Sequence, residues 1–309
     1  MLCSSQHLMP RRSSSRCNRS ARSIRQFDEV PTRQELSGGG TLVARLIGLI
    51  CTLAFLAANP AAAGEVKFPS AAMPGQSAPV TLSAYILKPA GEGPFPAVII
   101  LHGCGGPDDH HRTWAQKIVS WGYVAIVPDS FTPRGPKNIC GNTNAVGPTL
   151  RVNDVVGTAE YLATLPYVQK GKIGVLGFSH GGWTVLKGVQ ESAYWSSYGI
   201  RGAVAFYPYC TPRADANVVV PTLFFIGEKD DWTPAQRCKE LLPMLKRPDL
   251  VTGVFLPDTY HAFDRPGKTQ WVQGLGSDGK VSSRRLEYSA ASTRAAETQT
   301  RAYFDRLLR

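Results

Sequence analysis

From about residue 80 onward, short apolar runs alternate with helical stretches, and this alternation constrains the fold more than any other feature. Ala97-Val98-Ile99-Ile100-Leu101 is a continuous β-branched run, expected of a strand buried on both faces. Tyr123 to Val127, Ile173 to Leu176, Ala203 to Phe206, Thr222 to Ile226 and Gly253 to Leu256 repeat that pattern, and Val80 to Leu87 alternates like an outer strand. Between them, Arg112 to Trp121, Asp154 to Leu165, Gly182 to Gln190 and Pro234 to Leu245 read as helices, and Ser292 to Leu308 closes the chain as another. Residues 266–287, polar and Gly-rich, read as a surface loop. Strand-helix alternation of this kind implies an α/β fold with a mostly parallel central sheet and helices on both faces. In such sheets ligands bind beyond the carboxyl ends of the strands, so chemistry-bearing residues are expected just after strands.

The segment before that pattern differs. Residues 1–64 hold eight Arg against Asp28, Glu29 and Glu35, so +5 of the formal +11 charge sits there. The rest is spread thinly with no Lys/Arg run, which argues against nucleic acid as a partner. Arg45 precedes a 13-residue apolar stretch, Leu46 to Ala58; Pro60 and the small residues Ala61-Ala62-Ala63 follow. This order reads as a secretory signal peptide with Gly64 as the new N-terminus. The apolar run is short for a membrane span, so no stable membrane insertion is expected. The domains expected are residues 1–63 as extension and leader, with 1–40 expected to lie outside the translated chain, and residues 64–309 as a single α/β domain. The expected location is periplasmic or secreted. Cys104, Cys140, Cys210 and Cys238 remain after the leader, enough for two disulfides in any of three pairings.

After the strand ending at Leu176 comes Gly177-Phe178-Ser179-His180-Gly181-Gly182 and then helical sequence. This is G-x-S-x-G in the strand-turn-helix context that a nucleophile elbow requires. Ser179 needs a base oriented by a carboxylate. His261 is the one downstream histidine apart from the adjacent His180, and it follows a strand. Glu228, Asp230 and Asp231 follow the strand ending at Ile226; the spacing from Gly227 favours Asp230, with Asp231 next. Two backbone N–H donors are needed for an oxyanion, and His180 and Cys104 are the candidates. Asp108-Asp109-His110-His111 invites a metal reading, but neighbouring side chains at a helix start are expected to diverge, so neither metal nor cofactor is expected. Trp183 and Trp232 flank the expected site.

Together, His102-Gly103-Cys104-Gly105-Gly106, Pro128-Asp129-Ser130-Phe131, the Ser179 motif, Gly227-Glu228-Lys229-Asp230 and His261-Ala262-Phe263 resemble the dienelactone hydrolase family. The resemblance implies an α/β-hydrolase fold and hydrolysis of a small ester or lactone. The sequence departs from the family pattern where a cysteine nucleophile and its glutamate would stand, at Ser179 and Gly103. The family's two carboxylate-binding arginines would correspond to Arg134 and Arg265, so the resemblance leaves an anionic substrate open. Peptidase or thioesterase activity on the same fold, or a non-catalytic exported binding module, are the alternatives.

Overall fold

The computed structural model describes residues 63–72 and 78–309. The leader and the start-site expectation lie outside these residues. An eight-stranded sheet runs through the described domain in the order β1 (Ala63–Pro69), β2 (Thr81–Leu87), β4 (Val124–Asp129), β3 (Phe95–Leu101), β5 (Val168–Phe178), β6 (Ile200–Phe206), β7 (Thr222–Gly227) and β8 (Val251–Leu256). β1 pairs antiparallel with β2, and β2 with β4; every later pairing is parallel. The run 97–101 occupies the middle of this sheet with no exposed residue, as its unbroken apolar character requires.

Helices cover both faces. α1 (Asp109–Ser120) and α5 (Ala290–Leu308) pack Trp114, Ile118, Phe304 and Leu308 against one face. α2 (Pro148–Thr164), α3 (His180–Gly188) and α4 (Ala235–Leu241) pack Val152, Val155, Val185 and Leu241 against the other. Strand order reverses between β3 and β5, and the loops leaving those two strands carry Gly103-Cys104 and Ser179. That is the switch point at which a parallel sheet opens a crevice.

Three expectations are corrected. α2 starts six residues before Asp154, because Pro148 at the first helical position has no N–H to lose and a φ suited to the turn. The helix expected to reach Leu245 leaves α geometry at Leu241 and continues as a 3₁₀ turn, Leu242–Met244, around Pro243. Residues 266–287 are not an irregular loop: they contain the antiparallel hairpin β9 (Gln270–Leu275) and β10 (Val281–Leu286). Its polar, two-sided surface hides strand periodicity. Its register is fixed by docking: Leu275 N–H donates to Cys140 O at 2.8 Å, Trp232 Nε1 donates to Leu275 O at 3.1 Å, and Arg284 donates to Asp231 O at 2.9 Å.

Candidate active site

Ser179 sits between β5 and α3 with φ 52° and ψ −111°, a strained conformation for a side-chain-bearing residue. The turn is possible because the chain folds back tightly on glycine. A Cβ at Gly177 would lie 2.3 Å from Gly181 O, and one at Gly181 would lie 2.2 Å from Leu101 O of the neighbouring strand. The second collision is with β3 and not with the elbow itself, so Gly181 also sets how closely the Ser179 turn approaches the loop bearing Cys104.

His261 Nε2 lies 2.9 Å from Ser179 Oγ, and His261 Nδ1 lies 2.7 Å from Asp230 Oδ2. The carboxylate accepts, so Nδ1 carries the proton and Nε2 is left to accept from the serine hydroxyl. Asp230 is itself held: Oδ1 accepts the backbone N–H groups of Trp232 and Thr233 at 2.9 and 2.8 Å, and Oδ2 also accepts from Thr233 Oγ1 at 2.9 Å. Asp230 and His261 are both buried. The rival carboxylates are elsewhere. Asp231 accepts from the backbone of Arg285 in β10, and Glu228 pairs on the surface with Lys239. Thr233 and Tyr207 join the site without having been foreseen. The Tyr207 ring lies 4.6 Å from that of His261, centroid to centroid, and its residue follows directly on β6, where the strand-end rule could have found it.

Cys104 and His180 both border the cleft that holds Ser179. Cys104 is bonded to Cys140, and Cys210 to Cys238, which selects one of the three pairings. Ile139 N–H also donates to Cys104 O, so the Cys104 loop is tied to its neighbour twice. The His180 imidazole is held by two partners of its own. Nε2–H donates to Thr143 O at 2.9 Å, and Nδ1 accepts from the buried Arg151 at 2.8 Å. Burial, and then the Arg151 charge, hold His180 at about 3, so it stays neutral. Burial also draws Arg151 down to about 9. Arg151 donates its other terminal nitrogen to His102 O, bracing the strand end before Cys104. Nothing local in the helical sequence around Arg151 signals this role.

The expectation for Arg134 is overturned. Its guanidinium makes a bidentate pair with the fully buried Asp154, at 2.8 and 2.9 Å, and donates to Ser130 O. It lines neither cavity beside Ser179. A buried carboxylate on α2 competes for it and wins. Arg265 does reach the site and shares a cavity with Ser179 and His261, but it is ion-paired with Asp108. That pairing, outweighing burial, raises Arg265 above its usual value.

The divergence expected of Asp108, His110 and His111 is also corrected. Their ligand atoms lie within 4.8 Å of one another. They are already engaged: Asp108 with His111 Nδ1 and Arg265, and His110 Nε2 with Asp264. The Arg265 cation on Asp108 opposes a metal ion there.

A parallel sheet bordered by antiparallel strands, with serine, carboxylate and histidine in that order on the loops after β5, β7 and β8, defines an α/β-hydrolase. The dienelactone hydrolase family profile matches residues 82–308, and the chain belongs to that family. It is a hydrolase of the ester and lactone class. A Synechocystis sp. protein provisionally named carboxymethylenebutenolidase is 27% identical over 222 residues, 64% of this chain and 87% of its own. The dienelactone hydrolase structure from Anabaena variabilis superposes with a TM-score of 0.55 at 18% identity, covering 80% of this chain and 99% of that one. Pyrococcus horikoshii acylaminoacyl peptidase shares the fold at a TM-score of 0.57 and 16% identity, over 81% of this chain and 42% of its own.

Proposed function

We propose that this hydrolase is a serine esterase or lactonase acting through Ser179, His261 and Asp230. The observation that carries the reading is the unbroken hydrogen-bond chain from Ser179 Oγ through His261 to Asp230 on an elbow at positive φ. Ser179 Oγ attacks the ester carbonyl carbon while His261 Nε2 takes the hydroxyl proton, and Asp230 steadies the imidazolium that forms. The carbonyl oxygen gains the displaced electron pair and is stabilised by the N–H groups of Cys104 and His180. Collapse of the tetrahedral intermediate expels the alkoxide, which takes the proton from His261. Water, deprotonated by the same histidine, then releases the acyl group as the acid and restores Ser179.

The same reading accounts for Gly103. A Cβ there would find only ordinary contacts, 3.6 Å from Phe178 O and 3.6 Å from the Ser179 Cβ. The position therefore has room for the Cβ from which a side chain would start beside the nucleophile. A thiol poised by a carboxylate needs one there; a hydroxyl activated by His261 does not.

The proposed location is periplasmic or secreted. The leader-like order of residues 45–63 supports it, as do two cysteine pairs that require an oxidising compartment to persist. Among the described residues, no helix is long and apolar enough to cross a membrane.

Hydrolysis of short p-nitrophenyl esters by wild type and Ser179→Ala tests the activity. Turnover by wild type with near-complete loss in the variant is expected; equal rates would refute it.

A further inference from the structure

Two cavities meet at Ser179, and they differ in character. One contains the Asp108–Arg265 pair together with His261. The other, about 240 Å³, runs from Ser179 between Trp183, Tyr209 and Trp232 to the tip of the hairpin at Leu275–Gly279. Among the described residues, no charged side chain lines it, and its only imidazole is the neutral His180. Two arginines beside its lining residues are committed elsewhere. Arg237 lies over the Tyr209 ring and donates to Cys210 O, and Arg284 donates to Asp231 O and pairs with Asp278.

The aromatic walls are fixed in place. Trp183 meets Tyr209 edge-on at 5.3 Å and the His180 ring at 5.5 Å. Trp232 is held against His261 at 5.1 Å, and a Cβ at Gly274 would strike its ring at 2.2 Å, so the hairpin seats directly on the indole. A dry apolar cavity of roughly 150 Å³ accepts benzene. The volume beside Ser179 therefore suits one substituted ring.

We propose that this cavity is the specificity compartment and that it selects an uncharged aromatic or similarly flat group on one side of the scissile ester. This rests on the esterase reading of Ser179. A carboxylate entering it would meet aromatic faces, whose negative quadrupoles repel it, and uncharged polar groups such as those of Thr143, Asn144 and Ser277, with no cationic side chain in the lining to compensate. The two arginines that could have met an anion are neutralised by Asp154 and Asp108 from within the protein. The hairpin tip supplies only Gly276, Ser277 and Gly279 beside Leu275, which leaves the mouth open to a planar group.

Matched substrates test this. Methyl benzoates with a para carboxylate or para carboxamide place the ring on the acyl side; phenyl acetates with the same pair place it on the alcohol side. In at least one series, kcat/KM for the amide should exceed that for the carboxylate about tenfold or more. In that series Trp183→Ala should lower kcat/KM for the ring ester about tenfold more than it lowers that for ethyl acetate. Because Trp183 is partly buried, Ser277→Phe serves as a second variant at an exposed loop position, filling the compartment from its mouth. It should raise KM for the ring ester selectively. Equal or faster hydrolysis of the carboxylates in both series would overturn the inference, as would parallel losses on ring esters and ethyl acetate in both variants. Esters turned over without ring selectivity would overturn it alone. No turnover of any ester, with Ser179 unlabelled by a fluorophosphonate, would overturn the esterase reading and this inference together.

Discussion

Asp264 is buried just after His261, and three donors converge on it. Tyr207 OH donates to Oδ1 at 2.6 Å, while Trp114 Nε1 and His110 Nε2 each donate to Oδ2 at 2.8 Å. Burial alone would raise its pKa, but the nearby His110 and the three hydrogen bonds outweigh it and hold the carboxyl at about 2. Asp264→Ala leaves three buried donors without a partner. Each costs roughly 1–3 kcal/mol, so a loss of about 4 kcal/mol or more is expected. For a domain of this size about 1 kcal/mol moves Tm by roughly 2–4 °C, so Tm should fall by about 8–16 °C. Asp264→Asn should be far milder. Its carbonyl can face Trp114 and His110, and its NH₂ can donate to the Tyr207 oxygen, which accepts as readily as it donates. A loss of about 1–2 kcal/mol is expected for that variant. Urea unfolding of wild type and both variants measures the difference. Asp264→Ala within about 1 kcal/mol of wild type, or equal losses in the two variants, would refute the reasoning. The residue also bears on the site, because it anchors the hydroxyl of the Tyr207 ring that packs on His261.

Asp230→Asn should lower kcat by about 10⁴ by presenting the wrong histidine tautomer to Ser179, while Asp231→Asn should leave kcat within roughly a factor of a few; steady-state kinetics with equal losses would reverse the assignment. Replacing Cys104 and Cys140 together by Ala should lower kcat by about tenfold or more, short of the roughly 10²–10³ for losing an oxyanion donor outright. Replacing Cys210 and Cys238 should cost about 2–4 kcal/mol of stability with kcat kept; equal kcat losses from the two pairs would count against a positioning role for the first. Acid should destabilise the fold. His102, His111 and His180 are held below their usual value, first by burial, so each favours the folded state when neutral. That contribution is fully present above about pH 6.5 and is lost as pH falls toward the folded value, about 3 for His180. Tm measured from pH 7 to pH 4 should fall, and fall less in His180→Gln; an unchanged slope would refute the sign.

The sheet was legible because its central strands are buried on both faces and so must be continuously apolar. The elbow was legible because its geometry demands glycine at set spacings: Gly177 and Gly181 are required by contacts of 2.3 and 2.2 Å. Asp230 and His261 followed from strand-end position and chain order. What stayed hidden depended on partners distant in sequence. Arg134 was read from its place in a family loop, yet Asp154, 20 residues away on α2, decides where it points. The hairpin 270–286 carries no strand signature, since docking on Cys140, Trp232 and Asp231 rather than a buried face holds it. Arg151 and Asp264 are buried charges whose function lies wholly in the groups around them. A string of residues does not show those groups.

The central claim is that Ser179 is the nucleophile and His261 its base. Labelling of the folded protein with a fluorophosphonate, followed by peptide mass spectrometry, tests it most directly. A single adduct on the peptide containing Ser179, absent from Ser179→Ala and formed far more slowly in His261→Ala, is the expected result. An adduct on another residue, or one whose rate is indifferent to His261, would contradict it.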